Sequence, residues 1–237
     1  PVVFTRNIFA VTPTVTTVRF GGSVTAPWSQ CTYGGPADVI SSFSSWGPGP
    51  DFSFKPDLTA PGGGIWSTVP VSMGSYENMS GTSMASPHVT AAAALIKEAH
   101  PDWTPAMVKI ALMNTAKLLV DPISDQYYSP HAQGAGRINV SDALHNSVTV
   151  VAKDTGLPYI NLGSLTDYAT VPALFTLQLR NTGTTAVTYT PGVTTQSVRI
   201  DGSAQAVTGV VIGMAPSGSI TVPAGGTASL AVSLNLS

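Results

Sequence analysis

The run Ser80-Gly81-Thr82-Ser83-Met84-Ala85-Ser86-Pro87-His88 sets a serine hydroxyl among small neighbours, where a flexible loop turns into an alanine-rich segment. A hydroxyl at a helix start lies beside backbone N–H groups without intrahelical acceptors and at the positive end of the helix dipole. Both would stabilise an oxyanion forming next to Ser83, which is the chemistry of nucleophilic attack on a carbonyl. Gly81 lacks the Cβ that would crowd a substrate carbonyl. Pro87 falls in the expected first turn, where its missing N–H costs nothing. The plainer alternative is an ordinary helix start with Ser83 as N-cap.

The elements that must hold this serine can be read on either side of it. Val89 to Ile96 carry the first helix into a core. His100-Pro101-Asp102-Trp103-Thr104-Pro105 announces a second helix with Thr104 as N-cap and Pro105 at the first helical position, running through Val108, Leu112 and Met113 to about Asn114-Thr115-Ala116. Gly134-Ala135-Gly136-Arg137-Ile138-Asn139-Val140 reads as a turn and strand before a short helix through Ala143 and Leu144. Upstream stand Phe43-Ser44-Ser45-Trp46-Gly47-Pro48 and Lys55-Pro56-Asp57-Leu58-Thr59-Ala60-Pro61-Gly62.

In this order and spacing, residues 40 to 146 resemble the second half of the catalytic domain of the subtilisin-like serine peptidases, in the branch that carries large insertions. The resemblance implies an α/β fold: the C-terminal half of a subtilisin-like parallel-sheet domain, on whose sheet Val89, Ala93, Ile96, Val108 and Leu112 would pack. It implies Ser83 as nucleophile of an endopeptidase, with the Ser83 N–H donating to the oxyanion and Thr82 assisting. Substrate backbone would run beside Ser80, Gly81 and the loop from Asn78, Tyr76 would pack near a specificity pocket, and Met84 would border the oxyanion. A base and a carboxylate to orient it are also required, and in this family both precede the serine. His88, His100, His131 and His145 all follow Ser83. His88 is expected to pack under the loop, His100 to sit at a helix end, and His131 and His145 to lie in loops or on the surface. Asp154-Thr155-Gly156 spells the family's aspartate tripeptide in the wrong order, and Asn7 is too poorly framed to serve as the oxyanion asparagine. A complementary chain or upstream part carrying Asp and His is therefore expected, and this polypeptide alone should be inactive.

No cofactor is needed for such chemistry. Calcium often stabilises members of the family, yet with Glu77 and Glu98 as the only glutamates and scattered aspartates no calcium loop can be read, and no metal ligand is assigned. Charged residues make up 9% of the chain, against about 25% for an average domain, and Gly, Ser, Thr and Ala dominate, which suits a secreted, extracellular protein. A net charge of −2 gives no electrostatic footprint for nucleic acid, and no run approaches the roughly 18 apolar residues of a membrane span. The chain begins at Pro1 without a methionine, which implies processing or fragment selection. Cys31, the single cysteine, excludes an intrachain disulfide and is read as a lone thiol, with pairing to another chain left open. Asn78, Asn139 and Asn235 match the glycosylation sequon; a glycan on Asn78 would obstruct the cleft, so Asn78 is expected to be unmodified.

From about residue 148 the helical period gives way to β-rich runs at 148–151, 173–179, 186–189, 207–212 and 228–234, separated by Gly, Pro and Thr clusters. This is a sandwich pattern and resembles the fibronectin-type-III-like domain that follows the catalytic domain in large members of the family, with residues 221–227 as a turn before a late strand. The division is therefore 1–147 for the serine-bearing half, within which 1–37 form either the tail of an insertion or an edge strand, and 148–237 for an all-β sandwich that ends just after a strand. The alternative to an enzyme is an inactive structural or adhesive fragment whose sandwich binds a partner.

Overall fold

The computed structural model describes residues 3–6, 38–164, 174–194 and 210–236. Strand β1 (Val3–Arg6) pairs antiparallel with β7 (Ile160–Ser164). Between them lie the hairpin β2 (Ile65–Thr68) and β3 (Tyr76–Met79), joined through a 3-10 turn at Val71–Met73, and the long helix α1 (Thr82–Ala99). Helix α2 (Pro105–Asn114), the small hairpin β4 (Val120–Asp121) and β5 (Gln126–Tyr127), and helices α3 (Pro130–Gln133) and α4 (Val140–His145) follow. The C-terminal strands are β6 (Val148–Ala152), β8 (Leu174–Asn181), β9 (Val187–Tyr189), β10 (Val210–Ala215), β11 (Ile220–Val222) and β12 (Thr227–Leu236).

Helix α2 begins as its sequence dictates: Thr104 accepts the Met107 N–H at 3.3 Å and Pro105 takes the first position. Helix α1 begins at Thr82 with Gly81 at the N-cap, two residues before the Ser83 N-cap of the plainer alternative. Pro87 is therefore its sixth residue, beyond the first turn, and the Ser83 carbonyl loses its i+4 donor. The core face of α1 carries Ala92 and Ile96, with Val89 and Ala93 partly buried beside them. These pack with Trp103, Val108, Ala111 and Leu112 around α2 and with Ile138 and Ala143 around α4. The apolar residues expected to wait for an external sheet are thus largely buried by helices within the chain. Each buried aliphatic side chain contributes about 1.5–3 kcal/mol.

The parallel sheet that the resemblance implies was expected largely from a part outside this chain; the ladders of the described residues are all antiparallel, and Thr59–Arg137 is an isolated parallel bridge. Parallel strands need crossover connections, and no strand–helix–strand unit of that kind is present in 38–147 among the described residues. Beyond 148, β10, β12, β8 and β6 form one sheet and β11 and β9 a second pair. Alternate residues Val148 and Val150, Leu177 and Leu179, and Leu230 and Val232 share a core with Tyr189, Ile220 and Val222. Asn181, buried in that core, donates through Nδ2 to Thr185 O and Val222 O and accepts the Gly183 N–H. Contacts that tie this part to the preceding residues include the Val150 N–H donating to Asn114 Oδ1 at 2.7 Å, Asn161 Nδ2 donating to Phe52 O at 2.7 Å, and Phe54 stacking on Tyr159 at 4.9 Å. Strands β7 and β11 were not expected from the sequence, and the expected runs at 173 and 207–209 fall outside the described residues, as does Cys31.

Candidate active site

Ser83 is the second residue of α1 and is exposed. Among the described residues its hydroxyl has no hydrogen-bond partner. Its position is fixed from below by the segment 57–64. Thr59 N–H donates to Gly136 O at 2.8 Å and Thr59 O accepts from Ile138, so the strand-like run after Asp57 is laced to the 134–138 turn. That turn comes close because Gly134 and Gly136 adopt φ of +62° and +117°; a Cβ on Gly134 would lie 2.5 Å from Pro56 O. Three residues past Thr59, Gly62 O accepts the Gly81 N–H at 2.8 Å, and the Gly64 N–H donates to Ser80 Oγ at 2.8 Å. The Gly81 carbonyl then takes the N–H groups of Met84 at 3.0 Å and Ala85 at 3.3 Å. The N–H groups of Thr82 and Ser83 precede the first acceptor that the helix offers and are left as donors beside the hydroxyl.

Lys109 and Lys55 anchor the far end of this lacing through Asp57, at 2.7 and 2.9 Å. Burial works against the Asp57 charge, but hydrogen bonds and charges from Lys109 and Lys55 outweigh it and hold the carboxyl below its ordinary value. Asp38 binds Arg137 Nε at 2.7 Å in the same way, beside the Arg137–Lys117 bridge.

Two depressions meet at Ser83. An open trough of about 790 Å³ follows α1 along Thr82, Ser86, Pro87, Thr90, Ala91 and Ala94, with Leu95 also 48% exposed nearby. A more enclosed groove of about 410 Å³ separates α1 from the β2–β3 hairpin and is bordered by Ile65, Glu77, Met79, Met84 and His88. The hairpin was missed in the sequence; the signal it leaves is Gly74, which closes the turn at φ +103°.

Of the residues singled out in the sequence, Thr82 and Ser83 line the trough and Ser83 and Met84 the groove, while Ser80 and Gly81 precede them in the chain and are tied to the 62–64 segment. The histidines do not join them as bases. His88 borders the groove but turns Nδ1 onto Met84 O at 2.8 Å. His100 stacks on Trp103 at 4.0 Å and contacts Leu144 O through Nε2, and His145 binds Ser141 O. His131, expected in a loop or on the surface, is half-buried in α3, and that burial lowers its pKa. Asp154 stands in an exposed turn after β6, and neither depression at Ser83 includes it. Tyr76 is not among the residues lining the groove; it stacks across the hairpin on Trp66, which is. Among the described residues no group of three His, Cys, Asp or Glu could hold a metal ion, and no helix is long and apolar enough to cross a membrane.

The sequence model of the subtilase family, peptidase S8, matches residues 5–152, more than half of the chain. The chain belongs to the subtilase family. It is 35% identical over 230 residues to the PI-type proteinase of Lactococcus lactis subsp. cremoris, a match covering 84% of this chain and 12% of that protein. The minor extracellular protease Vpr of Bacillus subtilis is 44% identical over 113 residues, 45% of this chain and 14% of its own length. The C5a peptidase of Streptococcus pyogenes is 31% identical over 206 residues, 84% of this chain and 17% of its own. This subtilase segment thus spans between about an eighth and a sixth of the length of these relatives.

Proposed function

We propose that this subtilase chain supplies the nucleophile of a serine endopeptidase acting on proteins or peptides. The observation that carries the reading is Ser83 itself: exposed at the second position of α1, with its hydroxyl unbonded among the described residues. Two backbone N–H groups stand beside it without helix acceptors. Ser83 Oγ attacks the scissile carbonyl, and the N–H groups of Ser83 and Thr82 receive the developing oxyanion. Met84 and the Ser80–Gly81 loop border the substrate. The base that takes the Ser83 proton and the carboxylate that orients it come from a part of the protein outside this chain, or from a second chain, packed along the small-residue trough of α1. The strands beyond 148 form a fibronectin-type-III-like sandwich docked on α2, and the working site is extracellular.

The test uses this chain with and without its Asp- and His-bearing complement, each treated with a fluorophosphonate that reports an activated serine. The chain alone stays unlabelled, because loss of the base and its orienting carboxylate costs several orders of magnitude in rate. The combined protein labels stoichiometrically and cleaves peptides. If no combination labels Ser83, the peptidase reading fails and the adhesive alternative, in which the β-rich part binds a partner, takes its place.

A further inference from the structure

Glu77 is one of only two glutamates in a charge-poor chain, and it borders the groove that contains Ser83. Its place there follows from strand geometry. In the β2–β3 ladder Ile65 pairs with Met79 and Ser67 with Glu77, so these four residues share one face of the hairpin, and all four border the groove, as do Trp66 and Thr68 of the opposite face. Among the residues bordering the groove, Glu77 carries the one carboxylate, and no Lys or Arg lies among them. Nor does any described residue form an ion pair or hydrogen bond with it. The other paired carboxylates of the helical part, Asp38 and Asp57, each hold two cations.

Glu77 itself is exposed, and the groove it borders is largely apolar along Ile65, Val69, Met79, Met84 and Ala91, with Ser67 and Thr68 among its polar residues. A largely apolar groove that carries a lone negative charge suits a side chain with an aliphatic stem and a cationic head. Resting on the peptidase reading above, we infer that Glu77 is a specificity determinant, selecting substrates with lysine or arginine within a few residues of the scissile bond. The stem lies along Met79 and Met84, and the head meets the Glu77 carboxylate. A fully ion-paired glutamate would give no such selection, because its charge would already be met within the protein.

The experiment uses the complete enzyme, wild type, Glu77→Gln and Glu77→Lys, on matched peptide pairs that differ by Lys against Gln at one position, scanned across both sides of the cleaved bond. The readout is the ratio of kcat/KM within each pair. At one or more positions the wild type prefers the lysine peptide by roughly 3–5-fold at ~50 mM salt, the range of a partly exposed charge pair, and less at ~500 mM. Glu77→Gln brings the ratio to about 1, and Glu77→Lys turns it below 1. An unchanged lysine preference in Glu77→Gln overturns the proposal, as does a wild type with no preference at any position while neutral peptides are cleaved. If no peptide is cleaved and Ser83 takes no fluorophosphonate, the peptidase reading falls and this inference with it.

Discussion

An alanine at position 62 puts a methyl carbon 2.7 Å from Gly81 O and 3.1 Å from Ala85 Cβ. Gly62 does not have a positive φ, so alanine meets no backbone penalty there and the whole effect is steric. Relieving the contact requires Gly81 O to retreat by roughly 0.5–1 Å. That carbonyl is not free to move alone, because it accepts from Met84 and Ala85, while the Gly81 N–H is tied to Gly62 O. The displacement therefore travels into the first turn of α1 and shifts Ser83 and its N–H. Overpacking of this kind costs about 1–3 kcal/mol of stability. A nucleophile misplaced by up to ~1 Å costs as much as ~10²-fold in rate. The assay is the second-order rate of fluorophosphonate labelling of Ser83 in the complete enzyme, alongside its thermal midpoint. Gly63→Ala serves as control, since its added methyl meets only Ser41 Oγ at 3.5 Å, an ordinary contact. Wild-type labelling by Gly62→Ala would refute the lacing of 57–64 as the element that positions the nucleophile.

Gln133 is fully buried, its Oε1 accepting the Leu119 N–H and its Nε2 donating to Tyr128 O. Gln133→Leu leaves both backbone groups unpaired and should lower stability by about 2–4 kcal/mol in chemical denaturation. Asp57 has a depressed folded pKa, so its contribution is fully present above the unfolded value near 3.9 and is lost as pH falls through the lower folded value. The stability gap between wild type and Asp57→Asn, measured at pH 7 and again near pH 3, should shrink on acidification; a gap independent of pH would count against the Lys109–Asp57 tether. Met84 borders the groove at Ser83, and conversion to its sulfoxide should reduce kcat more than it raises KM. Full activity after complete oxidation, shown by peptide mass, would remove Met84 from the site.

What the sequence made legible was local chemistry. Thr104 and Pro105 start α2 as their types require, Asn114 ends it, and the β-rich run at 148–151 becomes β6, one residue longer, with Val148, Val150 and Ala152 buried. The passage from loop to helix at Ser80 to Met84 was legible in its small residues, though the N-cap is Gly81 rather than the Ser83 of the alternative reading. Less legible were contacts between distant segments. Nothing in 57–62 alone announces that Gly62 will abut Gly81, nor that a Cβ at position 134 would lie 2.5 Å from Pro56 O. The β2–β3 hairpin escaped because Trp66, Val71, Met73 and Tyr76 stay exposed, so its apolar residues follow no half-buried alternation. The helices were expected to need an external sheet, yet α1, α2 and α4 bury much of their apolar surface against one another. A sequence pattern identifies an apolar face but not the element that covers it.

The central claim is that Ser83 is the activated nucleophile. Treating the complete protein with a fluorophosphonate and locating the adduct by peptide mass spectrometry tests it most directly. The account predicts one adduct per protein, on the peptide containing Ser83, lost in Ser83→Ala while Ser80→Ala and Ser86→Ala keep it. Stoichiometric labelling of a proteolytically active protein at any other residue, or cleavage that survives Ser83→Ala undiminished, would contradict it.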